Sequence, residues 1–265
     1  MNELAAFGED GGAAPQRLRL VSYNIQAGVD TRHYRQYLTH SWKHVLPHRE
    51  RLANLNRIAA LLAHYDLVGL QEVDSGSLRS GFVDQTEYLA HRAGFPHWYK
   101  QINRSLGKLA QQSNGVLTRL RPSAVEEHKL PGLPGRGAIL VEFGRGGQGL
   151  AVCVLHLALG RRAQGRQLGY IGELVADYPN LVLMGDLNCE GDAEALQRLI
   201  RRVGLCEPSC DLKTFPSWRP MRNLDHILVS PSLEVAHTRV LDYPFSDHLP
   251  IEVEVRLPAG VRIAA

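Results

Sequence analysis

Side chains able to do chemistry stand where the apolar runs of this sequence stop. Asn24 closes the run 18–25, and Glu72 lies near the end of the run 66–73. His156 ends a third run, and Met184-Gly185-Asp186-Leu187-Asn188 ends a fourth. Leu224-Asp225-His226 and Ser246-Asp247-His248 follow late in the chain. Singly, each has an ordinary explanation. An Asp or Asn after a strand forms a turn through its own side-chain hydrogen bond, and a His on a strand is commonly a hydrogen-bonded interior residue. Turn chemistry does not account for two carboxamides, four carboxylates and three imidazoles in this order. Glu72 and Asp247 offer the hard oxygen ligands that Mg²⁺ or Mn²⁺ prefers. Asn24, Asn188 and His156 can orient a phosphoryl oxygen without adding negative charge. Asp186 can hold or deprotonate a water, and Asp225 can fix a histidine tautomer. Together they suit in-line attack of water on a phosphoester.

Each group follows an apolar run, so a rigid sheet rim can hold it. Alternation over 18–25 predicts a strand, and further strands are predicted at 66–73, 115–118, 138–143, 150–157, 181–184, 224–229 and 251–255. Leu52, Leu55, Ile58, Ala59 and Leu62 recur at helical spacing, with other helices predicted near 164–177 and 192–202. Many strands with few intervening helices predict mixed sheets packed face to face, helices outside. The chain reads as a flexible tail over 1–16, one catalytic domain over 17–258 and a C-terminal tail over 259–265.

Composition narrows the class. A chain of 265 residues with 44% hydrophobic and 22% charged residues has the balance of a globular protein. No apolar run approaches the roughly 20 residues that span a bilayer. Residues 1–16 lack the basic and apolar regions of a secretory signal. Cys153, Cys189, Cys206 and Cys210 are too scattered for a disulfide framework or a zinc site. These features predict a cytoplasmic protein in a reducing setting, without membrane insertion and monomeric. The net charge of +3 is far from the footprint of a dedicated nucleic-acid binder. Yet 25 of the 30 basic residues are Arg, whose forked guanidinium binds phosphate bidentately; high genomic GC content gives the same bias.

Taken in order, Asn24, Gln71-Glu72, Ser113-Asn114-Gly115, His156-Leu157, Gly185-Asp186-Leu187-Asn188, Leu224-Asp225-His226 and Ser246-Asp247-His248 resemble the endonuclease/exonuclease/phosphatase superfamily. Its members include deoxyribonuclease I, abasic-site endonucleases, neutral sphingomyelinases and inositol-polyphosphate 5-phosphatases. The likeness covers residues 18–255, nearly the whole chain. It implies an α/β four-layer sandwich, two mixed β-sheets packed face to face with helices on both outer faces, and hydrolysis dependent on Mg²⁺ or Mn²⁺. It also implies Glu72 as the principal metal ligand with Asn24 and Asp247 beside it. Asp186 and Asn188 would position the attacking water and the phosphate. His248, oriented by Asp225, would be the general base or the phosphate-polarising group, so Asp186 and His248 both stand as proton acceptors. His156 would contact the scissile phosphate, and Asn114 would support substrate. The sequence departs from the family pattern at His226, where many relatives carry Tyr or Arg. No segment matches the DNA-penetrating loops of the abasic-site enzymes.

Three segments could select substrate. Residues 30–51 interleave Arg32, Arg35, Lys43 and Arg51 with Tyr34, Tyr37 and Trp42, as phosphate contact with base stacking requires. A helical surface insertion with half-buried aromatics is the other reading. Residues 214–220 carry Trp218 and Arg219, which could stack on a base or meet a lipid headgroup. Arg161 and Arg162 could hold a flanking phosphate or simply start a solvated helix. No long apolar loop for membrane insertion is visible. The balance predicts a nuclease acting on DNA or RNA. A phospholipid or small-phosphoester hydrolase, and a phosphate-binding pseudoenzyme, are the alternatives.

Overall fold

Strands that are apolar on both faces decide the architecture. In β1 (Arg17–Asn24), Leu18 and Leu20 turn to one side and Val21 and Tyr23 to the other, and all four are buried. In β7 (Leu150–His156), Val152 and Val154 oppose Cys153 and Leu155. In β8 (Leu181–Asp186), Val182 and Met184 oppose Leu181 and Leu183. Such strands must be covered on both sides. Each sheet therefore packs on the other sheet inside and on helices outside.

The computed structural model describes residues 16–28, 49–107, 109–132, 134–144, 148–209, 212–261 and 263. Among them, a six-stranded sheet runs in the order β10 (Glu234–Val240), β11 (Ile251–Arg256), β1, β2 (Leu67–Asp74), β4 (Gln111–Thr118), β3 (His97–Ser105). A five-stranded sheet runs β5 (Ala124–Lys129), β6 (Gly137–Phe143), β7, β8, β9 (Asp225–Val229). The pairs β1–β2 and β7–β8 are parallel and the rest antiparallel, so both sheets are mixed. Helices α1 (Arg49–Leu62) and α2 (Gln85–Ala93) cover the first sheet through Leu55, Ile58, Leu62 and Leu89. Helices α3 (Arg161–Leu174) and α4 (Glu194–Val203) cover the second through Leu168, Ile171, Leu196 and Leu199. This is the expected four-layer sandwich.

The hydrophobic pattern predicts neither β3, β5, β10 nor α2. The three strands are all sheet edges with half-exposed, polar-rich faces, which blunt the apolar signal. Helix α2 is short and starts on the Asp84 side chain, which accepts from the Thr86 and Glu87 backbone N–H groups. Of the expected tails, residues 1–15 lie outside the described residues; Val261 and Ile263 are buried against the core between the sheets. No helix among the described residues is long and apolar enough to cross a membrane.

Candidate active site

The C-terminal ends of β1, β2, β7 and β8 meet the N-terminal ends of β9 and β11 at one end of the sandwich, and two backbone features aim the chemistry there. At Gly185 (φ 151°) an added Cβ would lie 1.9 Å from the Leu155 carbonyl oxygen. Only glycine lets β8 run this close to β7, which sets Asp186 in register with His156. Glu72 stands at φ 56°, where the β2–β4 register shifts between Leu70 and Val73. A bulge of this kind re-aims a side chain. Here it brings Glu72 Oε1 to 3.9 Å from His156 Nε2, with the Glu72 side chain 29% exposed.

Asp186 is the hub. Its Oδ2 accepts from Asn24 Nδ2 at 3.0 Å and its Oδ1 from the Asn188 backbone N–H at 3.0 Å. His156 Nε2 and His248 Nε2 lie 3.4 and 3.9 Å from the same Oδ2. Asn24 Oδ1 accepts from the Gln26 N–H at 3.1 Å. Asn188 is itself left-handed (φ 52°), a conformation Asn tolerates, and its Nδ2 donates to the Leu157 carbonyl at 2.9 Å. On the far side, His248 Nδ1 is 2.7 Å from Asp225 Oδ2, which also accepts from Thr214 Oγ1 at 2.5 Å.

Charge follows from this geometry. Burial works against a charged His248, but the carboxylates of Asp225, Asp186 and Asp247 outweigh it and hold the pKa well above the ordinary histidine range. His248 is an imidazolium. Burial, reinforced by the charges of Arg136 and His248, pushes His156 well below that range. His156 is neutral. Arg136 Nη1 lies 3.4 Å from His156 Nδ1, and a guanidinium can only donate. The proton therefore sits on Nε2, facing Asp186 and Glu72. Burial raises the Asp186 carboxyl, against the pull of His248 and with help from Asp225. Asp247 is pushed up to about 6 by burial first, with the Glu72 charge adding to it against His248.

Glu72 and Asp247 thus repel each other across the cleft, with the Asn24 carboxamide alongside; this all-oxygen set suits a hard divalent cation. Asp186, Asp225 and His248 also bring possible ligand atoms within 4.8 Å of one another. An imidazolium cannot ligate, however, and His248 Nδ1 is already given to Asp225. The His248–Asp225 hydrogen bond ties that trio together, and Glu72 and Asp247 are the carboxylates left that could hold a metal.

The remaining expected residues fall at differing depths. Ser217 donates from its N–H to the Asp247 carbonyl (2.7 Å) and from Oγ to the Ser246 carbonyl (2.6 Å). This pins the following Trp218, half-buried, and Arg219, exposed, at the lip of the site. Asn114 is fully buried; its Nδ2 donates to the Gly137 carbonyl at 2.8 Å, and its Oδ1 has no partner among the described residues. Arg161 and Arg162 are exposed at the start of α3. Of the stretch 30–51, residues 30–48 lie outside the described residues, while Arg51 is buried in α1 and so is no surface cation. His226 is fully buried, with Nδ1 2.7 Å from Glu207 Oε1 and Nε2 2.8 Å from the Cys189 carbonyl, so both nitrogens are spent away from the cleft. Arg136 escapes the sequence reading altogether, since no motif or spacing marks it.

A family model described as the Endonuclease/Exonuclease/phosphatase family matches residues 21–248. No curated protein matches the sequence. Among solved structures, an endonuclease/exonuclease/phosphatase from Beutenbergia cavernae is similar at 21% identity, over 91% of this chain and 72% of its own, with a TM-score of 0.70. The human Nocturnin catalytic domain with bound sulfate is similar at 20% identity, over 91% and 93%, with a TM-score of 0.66. A mannosyl-6-phosphatase from Bacteroides thetaiotaomicron is similar at 18% identity, over 90% and 99%, with a TM-score of 0.63. At these identities the likeness is one of fold.

Proposed function

The chain belongs to the endonuclease/exonuclease/phosphatase family, whose members are metal-dependent phosphoesterases, and on that premise we propose that it hydrolyses phosphodiester bonds by in-line attack of water. One observation carries the reading. A single buried carboxylate, Asp186, is flanked by a neutral imidazole at 3.4 Å and an imidazolium at 3.9 Å. Asp186, made more basic by burial, takes the proton of the attacking water. His156 Nε2–H and Asn24 Nδ2–H hold Asp186 and the water in line. His248 sets positive charge where the phosphoryl oxygens become more negative, and Arg136, against His156, adds a second; preorganised groups of this kind are the main source of stabilisation for such a transition state. Glu72 and Asp247, with Asn24 beside them, would hold Mg²⁺ or Mn²⁺. The ion would supply Lewis-acid stabilisation of the phosphoryl oxygens.

A nucleic-acid backbone is one diester this cleft can take, and Trp218 with Arg219 at the lip supports it, since an indole stacks on a base and a guanidinium holds a phosphate. The likeness to a mannosyl-6-phosphatase adds a sugar phosphomonoester to the substrates worth testing. The test is a panel of bis-p-nitrophenyl phosphate, p-nitrophenyl phosphate, mannose 6-phosphate, DNA, RNA and phospholipid, with Mg²⁺, Mn²⁺ or excess chelator. Diester turnover that stops in chelator and returns with either ion is expected. Undiminished hydrolysis in chelator would overturn the metal, and tight binding without turnover of any substrate would make the protein a pseudoenzyme.

A further inference from the structure

Six of the nine large hydrophobic side chains exposed among the described residues lie on segments at the end of the sheets that carries the candidate active site. Phe82 follows β2, Leu106 and Leu109 form the β3–β4 turn, and Leu159 links β7 to α3. Met221 lies in the turn pinned by Ser217, and Tyr243 lies between β10 and β11. Each of these segments leaves or enters a sheet at the end that carries Glu72, His156 and His248. Leu159 and Phe82 are the most open, at 76% and 65% exposed. Phe82 is also held at φ 63°, unusual for a bulky residue, with its N–H donating to the Ser77 carbonyl at 2.8 Å. Scattered exposed leucines are ordinary, but an apolar group collected around one cleft marks an interaction surface.

Charge accompanies it. Arg104 at the end of β3, Arg161 and Arg162 at the start of α3, and Arg219 beside Met221 are all exposed on the same segments. Asp242, next to Tyr243, subtracts one charge. The layout is the reverse of a protein–protein interface, which has an apolar centre and a polar rim. Here the centre is ionic and the rim is apolar. A nucleic acid would use the rings of Phe82, Tyr243 and Trp218 but would leave Leu106, Leu109, Leu159 and Met221, which have no ring face on which a base can stack, without a partner. A bilayer offers hydrocarbon for the rim and headgroup phosphates for the guanidiniums and the cleft.

We infer that this rim docks on an anionic phospholipid surface, and that the diester brought to the cleft is that of a phospholipid headgroup. The choice of bond rests on the phosphodiesterase reading above; the docking face does not. No stretch of sequence carries the feature, because five segments contribute one or two residues each.

The full chain is sedimented, in chelator, with vesicles of phosphatidylcholine alone or mixed with phosphatidylglycerol. Wild type should bind the mixed vesicles more strongly. A variant with Leu106→Ser, Leu109→Ser and Leu159→Ser should bind them about a hundredfold more weakly, from the apolar area no longer inserted. Its hydrolysis of bis-p-nitrophenyl phosphate should be unchanged, since none of the three touches the catalytic network; this also verifies folding. A second variant, Arg161→Gln with Arg162→Gln, should lose much of the preference for anionic vesicles. Absence of vesicle binding, or equal binding by wild type and the leucine variant, overturns the docking face. So does leucine-independent binding of a labelled oligonucleotide under conditions where vesicles are not bound. Vesicle binding without hydrolysis of any diester would sink the phosphodiesterase reading and leave the docking face standing.

Discussion

Asp225→Asn keeps the size of the side chain but removes the charge that holds His248 as an imidazolium. The two groups meet at 2.7 Å and both are buried, so solvent screens the pair little. A charge-assisted hydrogen bond contributes about 1.5–3 kcal/mol net, and a pKa unit corresponds to about 1.4 kcal/mol. The substitution should therefore lower the His248 pKa, leaving burial opposed only by Asp186 and Asp247. If His248 stabilises the phosphoryl group as a cation, losing about 3 kcal/mol lowers kcat by about a hundredfold, with KM little changed. The assay is bis-p-nitrophenyl phosphate turnover across a pH series. The alkaline limb of the kcat profile should move to lower pH in Asp225→Asn. Thr214→Val, which removes only a neutral donor to the same oxygen, should cost about two- to tenfold. The same pair also stabilises the fold: because the folded pKa of His248 is raised, that contribution is complete below the ordinary histidine range and is lost as pH rises through the folded value. Wild-type kcat with an unmoved alkaline limb in Asp225→Asn would refute the protonation state assigned to His248.

Glu72→Gln should weaken Mn²⁺ binding, read by isothermal titration, while the thermal melt of the metal-free protein stays put or rises as repulsion with Asp247 is relieved; unchanged affinity would place the ion elsewhere. Gly185→Ala forces a Cβ to within 1.9 Å of the Leu155 carbonyl oxygen, so β7 and β8 must part at a cost of about 3 kcal/mol or more; a melt shifted by only a degree would contradict the close approach. Glu252 is buried beneath Tyr65, Arg239 and His237, whose hydrogen bonds outweigh the burial that would raise its pKa, and hold it below the usual glutamate range. Its stabilisation is present above that range and lost as pH falls through the folded value, so Glu252→Gln should cost about 2 kcal/mol at neutral pH and flatten the acid side of a urea-melt series. An acid limb as steep as wild type would assign that loss to other carboxylates.

The order of the site residues was legible in the sequence because Asn24, Glu72, His156 and Asp186 lie at the ends of strands whose two buried faces leave continuous apolar runs, while Asp225 opens β9 and Asp247 and His248 precede β11. For the same reason the interior strands β1, β2, β6, β7, β8 and β11 stand close to their expected places, whereas the edge strands β3, β5 and β10, wet on part of their surface, leave too weak a pattern. Periodicity describes neighbours along the chain, and the rest depends on neighbours in space. Arg136 has no signal of its own, and it reaches His156 because β6 pairs with β7 so that Gly137 lies opposite that histidine. The protonation of His248 depends on the carboxylates that burial brings close to it, Asp225 being 23 residues away in sequence, and that of His156 on burial beside Arg136 and His248. His226, one residue from Asp225, turns away from the cleft because successive side chains of β9 face opposite sides of its sheet. The apolar rim is the same lesson at the surface: no run of sequence contains it, and only the common direction of the strand ends gathers its leucines around the cleft.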